Sequence, residues 1–155
     1  LKGQVRAGAD VVQLFDSWGG LLSPADFEEF SLQYMRKILQ ALKGETLTVL
    51  FAKGAWFALD KMSETGADAL GIDWCVTPEI ARQFAGNRVT LQGNFDPARL
   101  LSPIPAIQKG VKDMIDAFGT DRYIANLGHG ILPNVPVDHA RAFVDAVKNY
   151  SRVPQ

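Results

Sequence analysis

The sequence holds a single cysteine, Cys75. One thiol cannot close a disulfide within a chain, and with no histidine or second cysteine near it a zinc cluster has no ligand set. Its apolar neighbours point to an inert, buried thiol. So sparing a use of cysteine fits a reducing compartment, and hence a cytoplasmic setting. Histidine is almost as scarce: only His129 and His139 are present, so imidazole chemistry has two places to reside. An excess of either charge is also missing. The 16 Lys and Arg residues stand against 17 Asp and Glu, a formal net charge of −1, which leaves no basic surplus to drive binding to a nucleic-acid backbone. No apolar run approaches the ~20 residues that span a bilayer, and no secretory leader is visible. Neither nucleic acid nor membrane is therefore expected as a partner. No Gly-x-Gly-x-x-Gly or phosphate-loop pattern follows any predicted strand, which weakens a nucleotide-binding reading. Ser17 stands in Asp-Ser-Trp-Gly rather than Gly-x-Ser-x-Gly, so it is no hydrolase nucleophile. The chain opens on Leu1 in what reads as the tail of a helix, the pattern expected of a fragment.

What is present is a repeated unit. The 155 residues are 47% hydrophobic, enough to bury a core in one domain. After a helix tail over residues 1–9, Val11-Val12-Gln13-Leu14-Phe15 is an apolar, partly β-branched run of the kind that forms a buried parallel strand. It is followed by a helix start at Ser23-Pro24-Ala25-Asp26, with Ser23 as N-cap and Pro24 at the first helical position. Phe27, Phe30, Tyr34, Ile38 and Leu42 recur at helical spacing until Gly44 closes the helix. Leu47–Phe51 begins the next unit, with a shorter helix from about Trp56 to Thr65. Ala69–Ile72 and a helix from Thr77-Pro78 to Gly86 form the third. Arg88–Leu91 and a helix capped by Ser102-Pro103 and ending at Phe118-Gly119 form the fourth. Tyr123–Ile131 reads as a short buried strand that breaks at a glycine-flanked histidine, and a last helix from about Pro136 to Tyr150 completes the fifth.

Five strand-then-helix units with short connections imply a parallel sheet covered by helices. An open doubly wound sheet and a run of a (β/α)8 barrel compete. A complete barrel needs eight units over ~250 residues, so the expected fold is α/β, the C-terminal part of a (β/α)8 TIM barrel with about five units. Residues 1–155 are then one partial TIM-barrel domain. Barrel chemistry sits at the C-terminal ends of the strands. Those ends carry Asp16 and Ser17, Lys53, Asp73 and Trp74, Gln92 and Asn94, then Asn126 and His129. Asp73 and Asn94 are also ordinary turn residues, Lys53 reads as a solvated loop charge, and His139 is expected on an exposed helix surface.

Three stretches, Gly8-Ala9-Asp10 through Phe15-Asp16-Ser17-Trp18-Gly19-Gly20, then Leu91-Gln92-Gly93-Asn94-Phe95-Asp96-Pro97, and Asn126-Leu127-Gly128-His129-Gly130-Ile131 with Pro136 onward, together resemble the uroporphyrinogen decarboxylase family. The resemblance runs in order over essentially the whole chain and is to that family's C-terminal portion. It implies a (β/α)8 barrel, a homodimer in the full-length protein, no metal and no organic cofactor, and a porphyrinogen substrate losing four acetate carboxyl groups to give coproporphyrinogen. It also implies that Ser17 and His129 contact substrate and that Phe15 supplies apolar wall. The family's Arg-Gln-Ala-Gly-Arg stretch, its pyrrole-binding aspartate and its substrate tyrosine have no counterpart here, so no catalytic residue is assigned within this chain. Two alternatives stand beside this. One is a zinc-dependent corrinoid or coenzyme M methyltransferase relative, disfavoured because the second strand ends Phe51-Ala52-Lys53-Gly54 without thiol or imidazole. The other is a non-catalytic partial barrel that binds a porphyrinogen.

Overall fold

The computed structural model describes residues 1–150 of the chain. A short helix α1 (Lys2–Arg6) leads into strand β1 (Val11–Asp16). The first crossover comprises α2 (Pro24–Phe27), a wider π-helical turn over Glu28–Leu32, and α3 (Gln33–Leu42). Then come β2 (Leu47–Ala52), α4 (Leu59–Ser63), β3 (Ala69–Gly71), α5 (Pro78–Ala85) and β4 (Thr90–Phe95). The chain continues through α6 (Ile104–Phe118), β5 (Tyr123–Leu127) and α7 (Val137–Lys148). All five strands are parallel and lie in the order β1-β2-β3-β4-β5. A doubly wound sheet reverses its strand order at a switch point; this one never does. Successive right-handed crossovers without reversal curl a sheet into a barrel wall. The fold is thus α/β, a partial barrel of the TIM type, as the alternation predicts.

The two faces of the sheet differ. Leu50, Leu70 and Leu91, from the three inner strands, are fully buried beneath Met62, Ala81, Ile107 and Val111. Burying each leucine contributes about 1.5–3 kcal/mol. On the other face, Val11 and Phe15 of β1, Leu47 of β2 and Ile124 of β5 are exposed. The expectation that the last strand is buried is not met: Tyr123, Ala125 and Leu127 are half-buried against the core, and Ile124 and Asn126 are exposed. Among the described residues no helix is long and apolar enough to cross a membrane.

Local signals and structure agree at the caps of two helices. The Ser23 hydroxyl accepts from the Asp26 amide and Thr77 accepts from Ile80, each filling one of the free N–H groups of a first turn. Ser102, expected to cap, does not; Pro103 precedes α6 and no side chain caps it. The first long helix also departs from its predicted stripe. Phe27, Leu32, Met35, Leu39 and Leu42 face the core, while Phe30, Tyr34 and Ile38 are turned outward. The sequence carries two apolar stripes, and the π-helical turn, with its extra residue, rotates the second one out of the core.

Candidate functional site

The site is built from the strand ends upward. Side chains alternate along β1, so Gln13 and Phe15 share the open face with Ser17 just beyond it. The turn after β1 is fixed by Asp16. Its Oδ1 accepts from the Trp18 amide at 3.0 Å and its Oδ2 from the Ser31 hydroxyl at 2.5 Å. Ser31 lies in the π-helical turn and is buried, so the wider turn that displaces Phe30 also carries the donor that holds the Ser17 loop. The loop then touches the next strand's end. Gly20 lies so close to the Lys53-Gly54 backbone that an added Cβ would stand 2.5 Å from the Lys53 oxygen. Its amide donates to that oxygen at 2.9 Å.

The last strand's end is held in the same way. The Gly128 amide donates to the Phe95 carbonyl at 2.7 Å. A Cβ on Gly128 would meet the Asp73 Cα and the Trp74 backbone nitrogen at 3.0 Å, so the β5 turn packs directly on the β3 turn with little room for a side chain there. His129 follows, exposed, with its ring centroid 5.9 Å from that of Phe51. Phe51 belongs to β2, and its ring is in turn 6.2 Å from that of Phe15, edge to face. A residue beyond β5 reaches one on β2 only because the sheet curls.

Inside this curl is a cavity of about 500 Å³, within the usual range for a small-ligand site. Phe15, Phe51, Ile72 and Ile131 give it an apolar lining, and Gln13, Ser17, Gln92, Asn126 and His129 give it polar groups. No carboxylate lines it. Among the described residues neither the Ser17 hydroxyl nor the His129 imidazole has a hydrogen-bond partner, so both are free to bind a ligand. Ser17, His129 and Phe15, the three positions assigned by resemblance, thus line one cavity. Sequence reasoning missed Phe51 and Gln13. The signal for Gln13 was available, since an amide interrupts Val-Val-Gln-Leu-Phe at the same parity as Phe15 and Ser17.

Two other strand-end candidates, Asp73 and Asn94, serve the scaffold. Asp73 is buried, with Oδ2 accepting from the Gly54 amide at 2.5 Å and Oδ1 from the Cys75 amide at 2.8 Å. Asn94 donates to the carbonyls of Asp73 and Val76 at 3.1 and 2.8 Å. Gln92 and Asn94 lie within β4, which runs further than predicted. Asn126 turns its Oδ1 back to the Leu127 amide. His139 is half-buried with Nδ1 2.6 Å from the Leu100 oxygen, a tie between α7 and the Pro97–Leu101 turn ahead of α6 rather than a surface histidine. Cys75, expected to be buried, is exposed; partial desolvation and then the neighbouring Asp73 carboxylate push its thiol above the usual range. Burial likewise raises the phenol of Tyr123, which donates to the Gly93 carbonyl at 2.5 Å and ties β5 to β4. Among the described residues no three His, Cys, Asp or Glu side chains gather closely enough to hold a metal ion.

Comparison with known proteins bears on this geometry. A family profile described as Uroporphyrinogen decarboxylase (URO-D) matches residues 1–150. The chain is 59% identical over 152 residues to a uroporphyrinogen decarboxylase of Flavobacterium johnsoniae, covering 98% of this chain and 45% of that protein. It is 63% identical over 150 residues to that of Christiangramia forsetii, covering 97% and 44%, and 44% identical over 161 residues to that of Homo sapiens, covering 99% and 44%. The chain therefore spans somewhat under half the length of these relatives. Among solved structures, a methyltransferase from Methanosarcina mazei superposes with a TM-score of 0.81 at 26% identity, over 93% of this chain and 43% of the other. An archaeal fructose 1,6-bisphosphate aldolase superposes at 0.60 and 18% identity, over 95% of this chain and 61% of the other, a likeness of fold alone. With residues 1–150 matched and identities this high, the chain belongs to the uroporphyrinogen decarboxylase family.

Proposed function

We propose that this chain forms the carboxylate-orienting side of a uroporphyrinogen decarboxylase site, residues 1–155 being a partial TIM-barrel domain from the C-terminal portion of the enzyme. The observation that carries the reading is the cavity itself. It offers a free hydroxyl, a free imidazole and side-chain amides around an apolar lining, with no carboxylate to repel an anion. A porphyrinogen has that chemistry in reverse, an apolar tetrapyrrole rimmed by carboxylates. Ser17 donates a hydrogen bond to one peripheral carboxylate and His129 to another, as a neutral donor or as a cation. Phe15 provides apolar wall to the macrocycle.

The reaction breaks the bond between an acetate methylene and its carboxyl group. Carbon dioxide leaves, and the electron pair flows into a pyrrole ring that must first be protonated to accept it. A proton then adds to the methylene carbon and gives a methyl group. An anion beside the pyrrole N–H groups stabilises the cationic intermediate, and an acid supplies the protons. The aspartates nearest the mouth are committed elsewhere: Asp16 to Ser31 and Trp18, Asp73 to Gly54 and Cys75, Asp96 to the Ala98 amide. These 155 residues thus bind and orient, and the isolated chain does not turn over. In the full-length protein the same reading carries a cytoplasmic homodimer that acts as a cofactor-independent carboxy-lyase.

The test is equilibrium titration with uroporphyrin, the stable oxidised octacarboxylate, together with a decarboxylation assay on uroporphyrinogen. Binding weakened roughly three- to ten-fold in each of Ser17→Ala and His129→Gln is expected, with no coproporphyrinogen formed by the isolated chain. Absence of binding, or binding that neither substitution changes, overturns the site; robust turnover overturns the division of roles.

A further inference from the structure

Lys53 directly follows β2, and its backbone is held from both sides. Its amide donates to the Asp16 carbonyl and its own carbonyl accepts from Gly20, both at 2.9 Å. The side chain is half-buried and carries its ammonium 5.7 Å from the centroid of the Trp74 ring. That contact gives the cation a defined place. It does not neutralise the charge.

The carboxylates around Lys53 are engaged with other donors. Both oxygens of Asp16 are taken, by Ser31 and by the Trp18 amide. Both oxygens of Asp73 accept backbone amides, and the residue is only 4% exposed. Among the described residues Lys53 makes no ion pair. Trp74 in turn lies against Gly128, where an added Cβ would meet its Cε3 at 3.0 Å. Trp74 thus packs on Gly128, which lines the cavity, while Lys53 and Trp74 themselves stand just outside that lining, the ammonium held by an aromatic face with no carboxylate at ion-pair distance among the described residues.

We infer that Lys53 and Trp74 form a further carboxylate-binding subsite on the rim, which takes a peripheral carboxylate other than those held by Ser17 and His129. The inference rests on the porphyrinogen reading of the cavity. Trp74 is the positioning residue, because it fixes the long lysine stem and reduces the entropy lost when the ligand binds. An ammonium can serve such a carboxylate as a point charge without the two-pronged geometry of a guanidinium.

The experiment compares uroporphyrin binding by the unaltered chain, Lys53→Met and Lys53→Arg, at low and at high salt, with circular dichroism to establish that all three are folded. Lys53→Met is expected to bind roughly three- to ten-fold more weakly. Its affinity should also depend less on salt, because one screened charge has gone, while Lys53→Arg keeps most of the affinity. A merely structural lysine would leave the salt dependence unchanged. Equal affinity and equal salt dependence in Lys53→Met overturn the subsite and leave the cavity assignment standing. An unaltered chain that binds no uroporphyrin overturns both.

Discussion

The ring of Phe51 on β2 lies 5.9 Å from that of His129, which follows β5, three strands away in the sheet. Phe51 is buried, and it also contacts Phe15. It is therefore the shared support beneath two of the three residues assigned to the ligand. Phe51→Ala should cost about 3–5 kcal/mol of stability, read from urea denaturation. Phe51→Leu keeps most of the apolar volume but loses the ring, so it should stay folded and bind uroporphyrin more weakly. Unchanged binding by the leucine variant would show that the ring does not support His129.

The contact of Gly20 with the Lys53-Gly54 backbone makes a second prediction. A methyl group there would lie 2.5 Å from the Lys53 oxygen and the Gly54 carbonyl carbon, so the loop after β1 has to move. Gly20→Ala is expected to lose about 1–3 kcal/mol and to weaken uroporphyrin binding through the displaced Ser17 turn. Gly3→Ala, where nothing stands within 4 Å, is the control and should have no effect on binding.

Asp73 offers a chemical readout. Its carboxylate helps to raise the Cys75 thiol above its ordinary range, after desolvation. The rate of alkylation by iodoacetamide should therefore rise with pH along a curve displaced to higher pH than that of a free thiol. Asp73→Asn removes the charge and should move the curve down. The same change weakens two backbone hydrogen bonds and should cost about 1–3 kcal/mol in denaturation experiments. A curve that stays in place after the substitution would remove Asp73 as a cause.

Glu28 governs part of the acid response. Its hydrogen bond to Lys61, and then that to Arg36 at 3.0 Å, hold its carboxyl below the ordinary value of 4.5. The unfolded chain binds a proton at Glu28 before the folded chain does. The pair's contribution is therefore intact above the ordinary value and is lost as pH falls through the folded one. Glu28→Gln should lower stability at neutral pH and make little difference near pH ~2. A difference that persists undiminished in acid would exclude the carboxylate as its source.

Much of the fold was legible because it depends on local signals. The apolar runs of β1 and β2, Pro24 and Pro78 behind their capping residues, and Gly119 closing α6 each act within a few residues. The π-helical turn over Glu28–Leu32 was not legible. Either apolar stripe of the first long helix could face the core, and the turn that separates them is tied, through Ser31, to an aspartate fifteen residues away. The site was legible in part. Parity along β1 places Phe15 and Ser17 together, and glycines mark the His129 turn. Curvature is what brings Phe51 to His129, and no short stretch of sequence encodes curvature. The burial of Asp73 and the exposure of Cys75 depend in the same way on which loops meet above the sheet.

The unreversed strand order has one more consequence. Ser17 follows the first strand and His129 the last, so all the strands and crossovers between them act as the jaws of a caliper. The separation of these two donors is a cumulative quantity, the sum of every inter-strand twist and spacing across the sheet. Small repacking anywhere beneath β2, β3 or β4 reaches the site as a change in gauge, with no site residue altered. Substitutions under the central strands should therefore act on which ligand size is accepted before they act on whether a ligand is held at all.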